Sequence, residues 1–383
     1  MKSPSILFLT EGKDSPSARF AVCSLIPYLE RTGIRCAIAH RRPPKYGLIN
    51  LPCLNYRVFR IAVYCLICYP FSLLVRFFDL WRAGRYDIVF VHRDLDENHT
   101  TAWLERLFRA RSRCMIFYFD DALWLARTHL GKPIEHKIRE IIRMADRVIV
   151  SHEYLAEYAR RFNFSVSLFP LSIDTHRFVP ASADRRENSV DRQKDRGTGQ
   201  KEKITVGWAG GPWNYPDLVQ LAGVLGEIKQ DTVDTGIEIL IQSGSPPPAE
   251  IQRIGVHYLP WQQDREIDAL QQMDIALCPL QDSPWARGKF SIKLLQYLAV
   301  GIPVICSDVG ANREIIIDGV VGFVVKTQDE WRSRLLTLIH DRELRERMGQ
   351  AARARAVDCY SSEKAGARMA AWLRGRTTVS IWY

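Results

Sequence analysis

The chain alternates, twice over, between short apolar runs and segments whose apolar residues recur at helical spacing. In the first series "SILFLT" precedes "ARFAVCSLIPYLERTG", which closes on Gly33 as a C-cap, and "IRCAIAH" follows. "YDIVFVH", "CMIFYFDD", "DRVIVSH" and "VSLFPLSID" continue as strands, with "TTAWLERLFRAR", "IEHKIREIIRMA" and "EYLAEYARRF" as the helices between them. The second series runs "ITVGWAG", "DLVQLAGVLGEIKQ", "IEILIQSG", "EIDALQQM", "DIALCPL", "IKLLQYLAV", "IPVICS" and "EWRSRLLTLIHD". Such repetition predicts parallel, doubly wound sheets. Between the series, 12 of the 23 residues from 181 to 203 are charged, too polar to build a core. The expected fold is therefore α/β, with two Rossmann-like domains facing a central cleft. Residues 1–180 form the first domain, 181–203 a charged linker and 204–365 the second domain. Residues 366–383 form a C-terminal helix that crosses back to the first.

Composition narrows the function classes. A chain of 383 residues suits two domains, and 47% apolar residues supply their cores. The net charge of +10 suits a phosphate-bearing substrate, nucleic acid or an anionic membrane surface. Nucleic acid is not expected as a partner, because the basic residues are dispersed rather than gathered with aromatics. Nine cysteines, an odd number, run from Cys23 to Cys359 without a disulfide ladder or zinc spacing. They point to a reducing compartment, and Cys65 and Cys68 lie in an apolar run with no redox context. "MKSPSILFLTEG" reads as a first strand rather than a signal peptide, so the expected location is cytoplasmic.

One segment departs from the alternation. "YRVFRIAVYCLICYPFSLLVRFFDLW", residues 56–81, has an apolar core from Ile61 to Val75 that is short for a membrane span and contains Pro70. A buried helix pair is one reading. The other is a helix lying on the inner face of a membrane, since Arg57, Arg60, Arg76 and Arg82 flank the run among aromatics.

The densest chemical signal lies in "RGKFSIKLLQYLAVGIPVICSDVGANREIIIDGVVGFVV", Arg287 to Val325. Gly288, Lys289, Phe290 and Ser291 precede the helix Ile292–Val300. Its unpaired N–H groups and dipole favour an anion. Gly288 permits close backbone approach, and Arg287, Lys289 and Lys293 add positive charge where a diphosphate would sit. Gly301 ends the helix and Pro303 blocks its continuation. In an open α/β sheet this is the carboxyl edge of the strands, where ligands bind.

The stretch from Gly288 to Val325 resembles the donor-binding segment of the family 4, or group 1, glycosyltransferases of the GT-B fold. "ADRVIVSHEYLAEYA", "ITVGWAGGPWNYPDL", "DIALCPLQDSPWARGK" and "LRERMGQAARARAVDCYS" extend the resemblance over about residues 145–365. It implies a retaining hexosyltransferase that moves sugar from a nucleotide-sugar to an acceptor hydroxyl. The donor would lie on the second domain and a glycan or lipid-linked acceptor on the first, in cell-surface polysaccharide or glycolipid synthesis. No cofactor or dedicated metal is then expected, since Lys289 and Lys293 stabilise the departing diphosphate.

The chain departs from the family pattern at three places. The two customary glutamates fall at Gly288 and Gln296, and Gln296 retains the capacity to bond ribose hydroxyls. The turn after the first strand of the second domain, with Gly210, reads "GWAGGPWNY" and lacks the usual Arg and Lys. A customary His-Asp pair is replaced by "FYFDDALW", which makes Asp120 and Asp121 candidates to serve the sugar or acceptor. Other candidates come from position alone. Gly12 and Arg19 follow the first strand and are placed to meet phosphate or acceptor. His92, at a strand end, is placed to orient a substrate hydroxyl, and Trp261 to stack on the base. Rival readings are an epimerase or phosphorylase on the same two domains, and a nucleotide-sugar-binding scaffold without transfer activity.

Overall fold

The computed structural model describes residues 3–12, 15–41, 64–96, 98–128, 131–181, 203–232 and 236–375. Most of the charged linker, the beginning of the 56–81 segment and residues 376–383 therefore lie outside the described residues. The chain divides into two compact units. One comprises Met1–Ser172, Gly288–Phe290 and Ser362–Tyr383, and the other Ile173–Arg287 and Ser291–Ser361.

The first unit is built on β1 (Ser5–Thr10), β2 (Arg35–His40), β3 (Ile88–His92), β4 (Met115–Phe119), β5 (Arg147–Val150) and β6 (Val166–Leu168). They pair in parallel in the order β2-β1-β3-β4-β5-β6. Every residue of β1, β3 and β4 is buried, as continuous apolar strands covered on both faces must be. The predicted first helix is present but irregular. A widened turn at Arg19–Cys23 precedes a regular helix at Ile26–Arg31, and the chain leaves through Gly33 at φ 85°. The C-terminal helix Ser362–Leu373 belongs to this unit. Gly366 lets it approach Tyr28, where an added Cβ would stand 2.4 Å from the tyrosine Cβ.

The 56–81 segment resolves into a helix at Tyr69–Ala83. Arg76, expected among the exposed flanking cations, is instead buried. Its guanidinium donates to the carbonyl oxygens of Thr10 (2.7 Å) and Ala39 (3.1 Å) and pairs with Asp79. Arg57 and Arg60 lie outside the described residues. No described helix is long and apolar enough to cross a membrane.

The second unit carries β7 (Ile204–Ala209), β8 (Ile237–Ser243), β9 (His257–Pro260), β10 (Ile275–Cys278), β11 (Val304–Ser307) and β12 (Gly322–Val325). The order β12-β11-β10-β7-β8-β9, parallel throughout, is that of a dinucleotide-binding sheet. Two strands escape the sequence reading. β9 is a half-exposed edge ending in proline, and β12 has only four residues beyond a glycine turn.

Candidate functional site

Each sheet reverses its strand order once, and the carboxyl side of that point is where open α/β sheets hold ligands. In the first unit the chain leaves β1 for β2 on one side and returns as β3 on the other. Glu11 follows β1, Arg93 follows β3, and Asp120 and Asp121 follow β4. Because the three strands are neighbours, their ends converge. The Arg93 guanidinium lies 3.2 Å from Glu11 and 3.6 Å from Asp120, and is bonded to Asp121. Arg93 is the only non-glycine residue with positive φ among the described residues, at 61°. That backbone is costly for a branched-off side chain and persists where surrounding contacts fix it.

Ser17 joins this cluster by donating to Asp120 Oδ2, and its hydroxyl lies 2.9 Å from His92 Nε2. His92 is wholly buried and stacks on Tyr118 at 5.5 Å. Burial pushes its pKa down to about 4, so the ring is neutral. Its Nε2 is engaged by Ser17, which places the imidazole behind the cluster rather than at its surface. Burial also raises the Asp121 pKa, opposed by Arg93 and by Lys289. Glu11, Ser17 and Arg93 were not singled out from sequence. The one signal for Arg93 was its place at a strand end beside His92.

Gly288–Phe290 groups with this unit. A Cβ on Gly288 would stand 2.4 Å from Ala122 Cβ and 2.9 Å from its backbone nitrogen. A side chain there would force Ala122 to shift, at the position where the resemblance puts a glutamate. Lys289 is half-buried, and Phe290 is buried with its ring 6.3 Å from His152. Gly12 is buried with open space where a side chain would extend, and Arg19 lies over the Phe20 ring at 4.4 Å.

In the second unit the order reverses between β7 and β10. Gly210 follows β7, and Lys293 stands in the helix Ile292–Ala299. The Lys293 ammonium sits 4.5 Å from the centroid of Trp208, a wholly buried β7 residue that stacks on Tyr215. Gly210 makes the space for both. A Cβ there would stand 2.6 Å from Lys293 Nζ and 2.6 Å from the indole. Ser291 occupies the N-cap with extended backbone, and its side chain makes no cap hydrogen bond. Tyr297, on the same helix, accepts from the Ala209 amide at 2.8 Å and ties the helix to the end of β7. Gln296 is half-buried on this helix, and Trp261 is half-exposed just after β9.

Arg287 has an acidic neighbour. It forms a two-pronged ion pair with Asp282 at 2.8 and 2.7 Å and holds that carboxylate below its usual range. Both are exposed. Asp94 and Asp96, spaced like a metal-binding pair, are likewise committed. Asp94 pairs with the buried Lys137 at 3.0 Å, and Asp96 accepts from Tyr69 and Trp103.

Residues 250–355, almost all in the second unit, match the family model of glycosyl transferases group 1. That stretch of the chain is thus similar to the group 1 glycosyltransferases. Over 305 residues it is 27% identical to D-inositol 3-phosphate glycosyltransferase of Nocardia farcinica, a match that covers 72% of this chain and 63% of that protein. The structure is similar to sucrose-phosphate synthase of Thermosynechococcus elongatus, with a TM-score of 0.70, 14% identity, and coverage of 97% and 98% of the two chains. It is also similar to Anabaena HepE in complex with UDP-glucose, with a TM-score of 0.63, 15% identity, and coverage of 97% and 100%. The two Rossmann-like units thus make the GT-B fold of these glycosyltransferases. Within the matched stretch, the Lys293 helix lies between β10 and β11.

Proposed function

We propose that the chain is a retaining hexosyltransferase that takes sugar from a nucleotide-sugar, with UDP as the first candidate nucleotide. The observation that carries this reading is the Lys293 ammonium beside Gly210 at the β7–β10 reversal, on a helix whose N-cap Ser291 makes no side-chain cap. A diphosphate there meets a helix N-terminus and a cation held in place by an indole. As the bond from the anomeric carbon to the diphosphate oxygen breaks, charge grows on that oxygen. Lys293 and Lys289 stabilise it more in the transition state than in the bound donor, without a dedicated metal. The acceptor hydroxyl forms the new bond to the same carbon on the same face, and its proton passes to the departing diphosphate oxygen. Gln296 bonds the ribose, Phe290 and Ser291 shape the helix entry, and Trp261 stacks on the base.

The first unit is proposed to take the acceptor, a cell-surface glycan or lipid-linked precursor met on the cytoplasmic side. Asp120 and Asp121 orient its hydroxyls, His92 acts through Ser17, and Gly12 and Arg19 border the site. A screen of UDP-, GDP-, ADP- and dTDP-sugars by thermal shift tests the donor, since a ligand of the native state raises its melting temperature. Slow hydrolysis of the stabilising donor and its arrest in Lys289→Ala are expected. Stabilisation with no hydrolysis by wild type would favour a binding scaffold.

A further inference from the structure

The helix Tyr69–Ala83 is inside out. Ser72, Arg76 and Asp79 are buried, while Phe71, Leu74, Phe78 and Trp81 are 50, 68, 57 and 54% exposed. These outward positions recur every three or four residues and form one stripe, which Ile67, 64% exposed, extends by a turn. A helix on a water-facing surface has the opposite polarity. The orientation is nevertheless fixed. Arg76 donates to the Thr10 and Ala39 carbonyl oxygens and pairs with Asp79, so rolling the stripe inward would strand a buried charge.

Cations border the stripe. The Arg82 guanidinium lies 5.7 Å from the Phe78 ring centroid and that of Arg85 lies 4.1 Å from Trp81. Asp79, the one acidic residue of the helix, is buried and pairs with Arg76 and, at 3.7 Å, with Arg82, so the helix presents no exposed carboxylate beside the stripe. An apolar floor with an aromatic and cationic rim matches the boundary between acyl chains and acidic headgroups. We propose that this face seats the protein on an anionic bilayer, with the stripe in the acyl boundary and Arg82 and Arg85 among the headgroups. A second copy is the poorer occupant, since the same helix would bring arginines without exposed carboxylates to meet them. Seating requires only the folded chain, with no donor or acceptor bound.

Co-sedimentation of the full chain with vesicles tests this. Binding is expected to phosphatidylcholine vesicles containing phosphatidylserine, to weaken as salt is raised, and to be much poorer on phosphatidylcholine alone. The double variant Phe78→Glu/Trp81→Glu should lower partitioning by at least about tenfold with an unchanged melting temperature, since both side chains are exposed. Arg85→Glu should lower it by about tenfold on the anionic vesicles alone. Brominated lipid should quench wild-type tryptophan fluorescence more than that of Trp81→Phe. The proposal is overturned by absence of binding, by equal binding to both vesicle types, or by undiminished binding of the double variant. Lipid-free dimerisation abolished by that variant, without vesicle binding, would assign the face to a second copy.

Discussion

Arg93 and Glu11 leave the ends of neighbouring strands and meet 3.2 Å apart, with Asp120 and Asp121 on the same guanidinium. One cation thus holds three carboxylates at the point where the first sheet reverses. Replacing it by Met leaves those carboxylates without their buried counter-charge, and a loss of about 3–5 kcal/mol in urea unfolding at pH 7 is expected. The Asp121 carboxyl, already raised by burial, then loses the guanidinium that opposes that rise. The variant therefore recovers stability relative to wild type as pH falls. A deficit that is equal at pH 7 and pH 5 would contradict this.

His92 supplies a pH dependence of its own. Its folded pKa, pushed by burial to about 4, lies below the ordinary value of 6.5. Below that value the unfolded chain takes a proton that the folded chain refuses. The neutral ring's contribution is intact above about pH 6.5 and declines towards pH 4, by about 3 kcal/mol in all. Burial of Asp121 works in the opposite sense, so the measurement is the difference between wild type and His92→Gln across this range. The variant should lose less stability on acidification, and parallel curves would place the proton elsewhere.

Gly288→Ala introduces a Cβ that meets both Cβ and backbone nitrogen of Ala122. A backbone atom cannot rotate away, so a cost of about 1–3 kcal/mol is expected, read as a lower melting temperature. Gly288→Glu, which introduces the residue the resemblance implies there, should cost more and should not raise activity. A stable, more active Gly288→Glu enzyme would show that Ala122 yields.

Much of this was legible in the sequence. Buried parallel strands such as β1, β3 and β4 read as plain apolar runs, and Gly210, Lys289 and Lys293 stood out beside a helix start and a glycine turn. What was not legible depends on distant partners. Glu11, Arg93 and Asp121 are joined only by strand order, and Arg93 gave no periodic signal. Nothing local placed Trp208 under Lys293, because a tryptophan in an apolar strand reads as core. Arg76 read as a surface cation because its acceptors, the carbonyl oxygens of Thr10 and Ala39, lie far away in the chain. Gly288 read as a lost glutamate until Ala122 was found where the side chain would be.

The central claim is that the helix entry at Lys293 takes a nucleoside diphosphate. Calorimetric titration of UDP into wild type, Lys293→Gln and Gly210→Ala tests it most directly. Wild type should bind, Lys293→Gln should bind about tenfold to a hundredfold more weakly as a charge-assisted contact is lost, and Gly210→Ala should bind more weakly as Lys293 and Trp208 are displaced. UDP affinity that is unchanged in both variants would contradict the account.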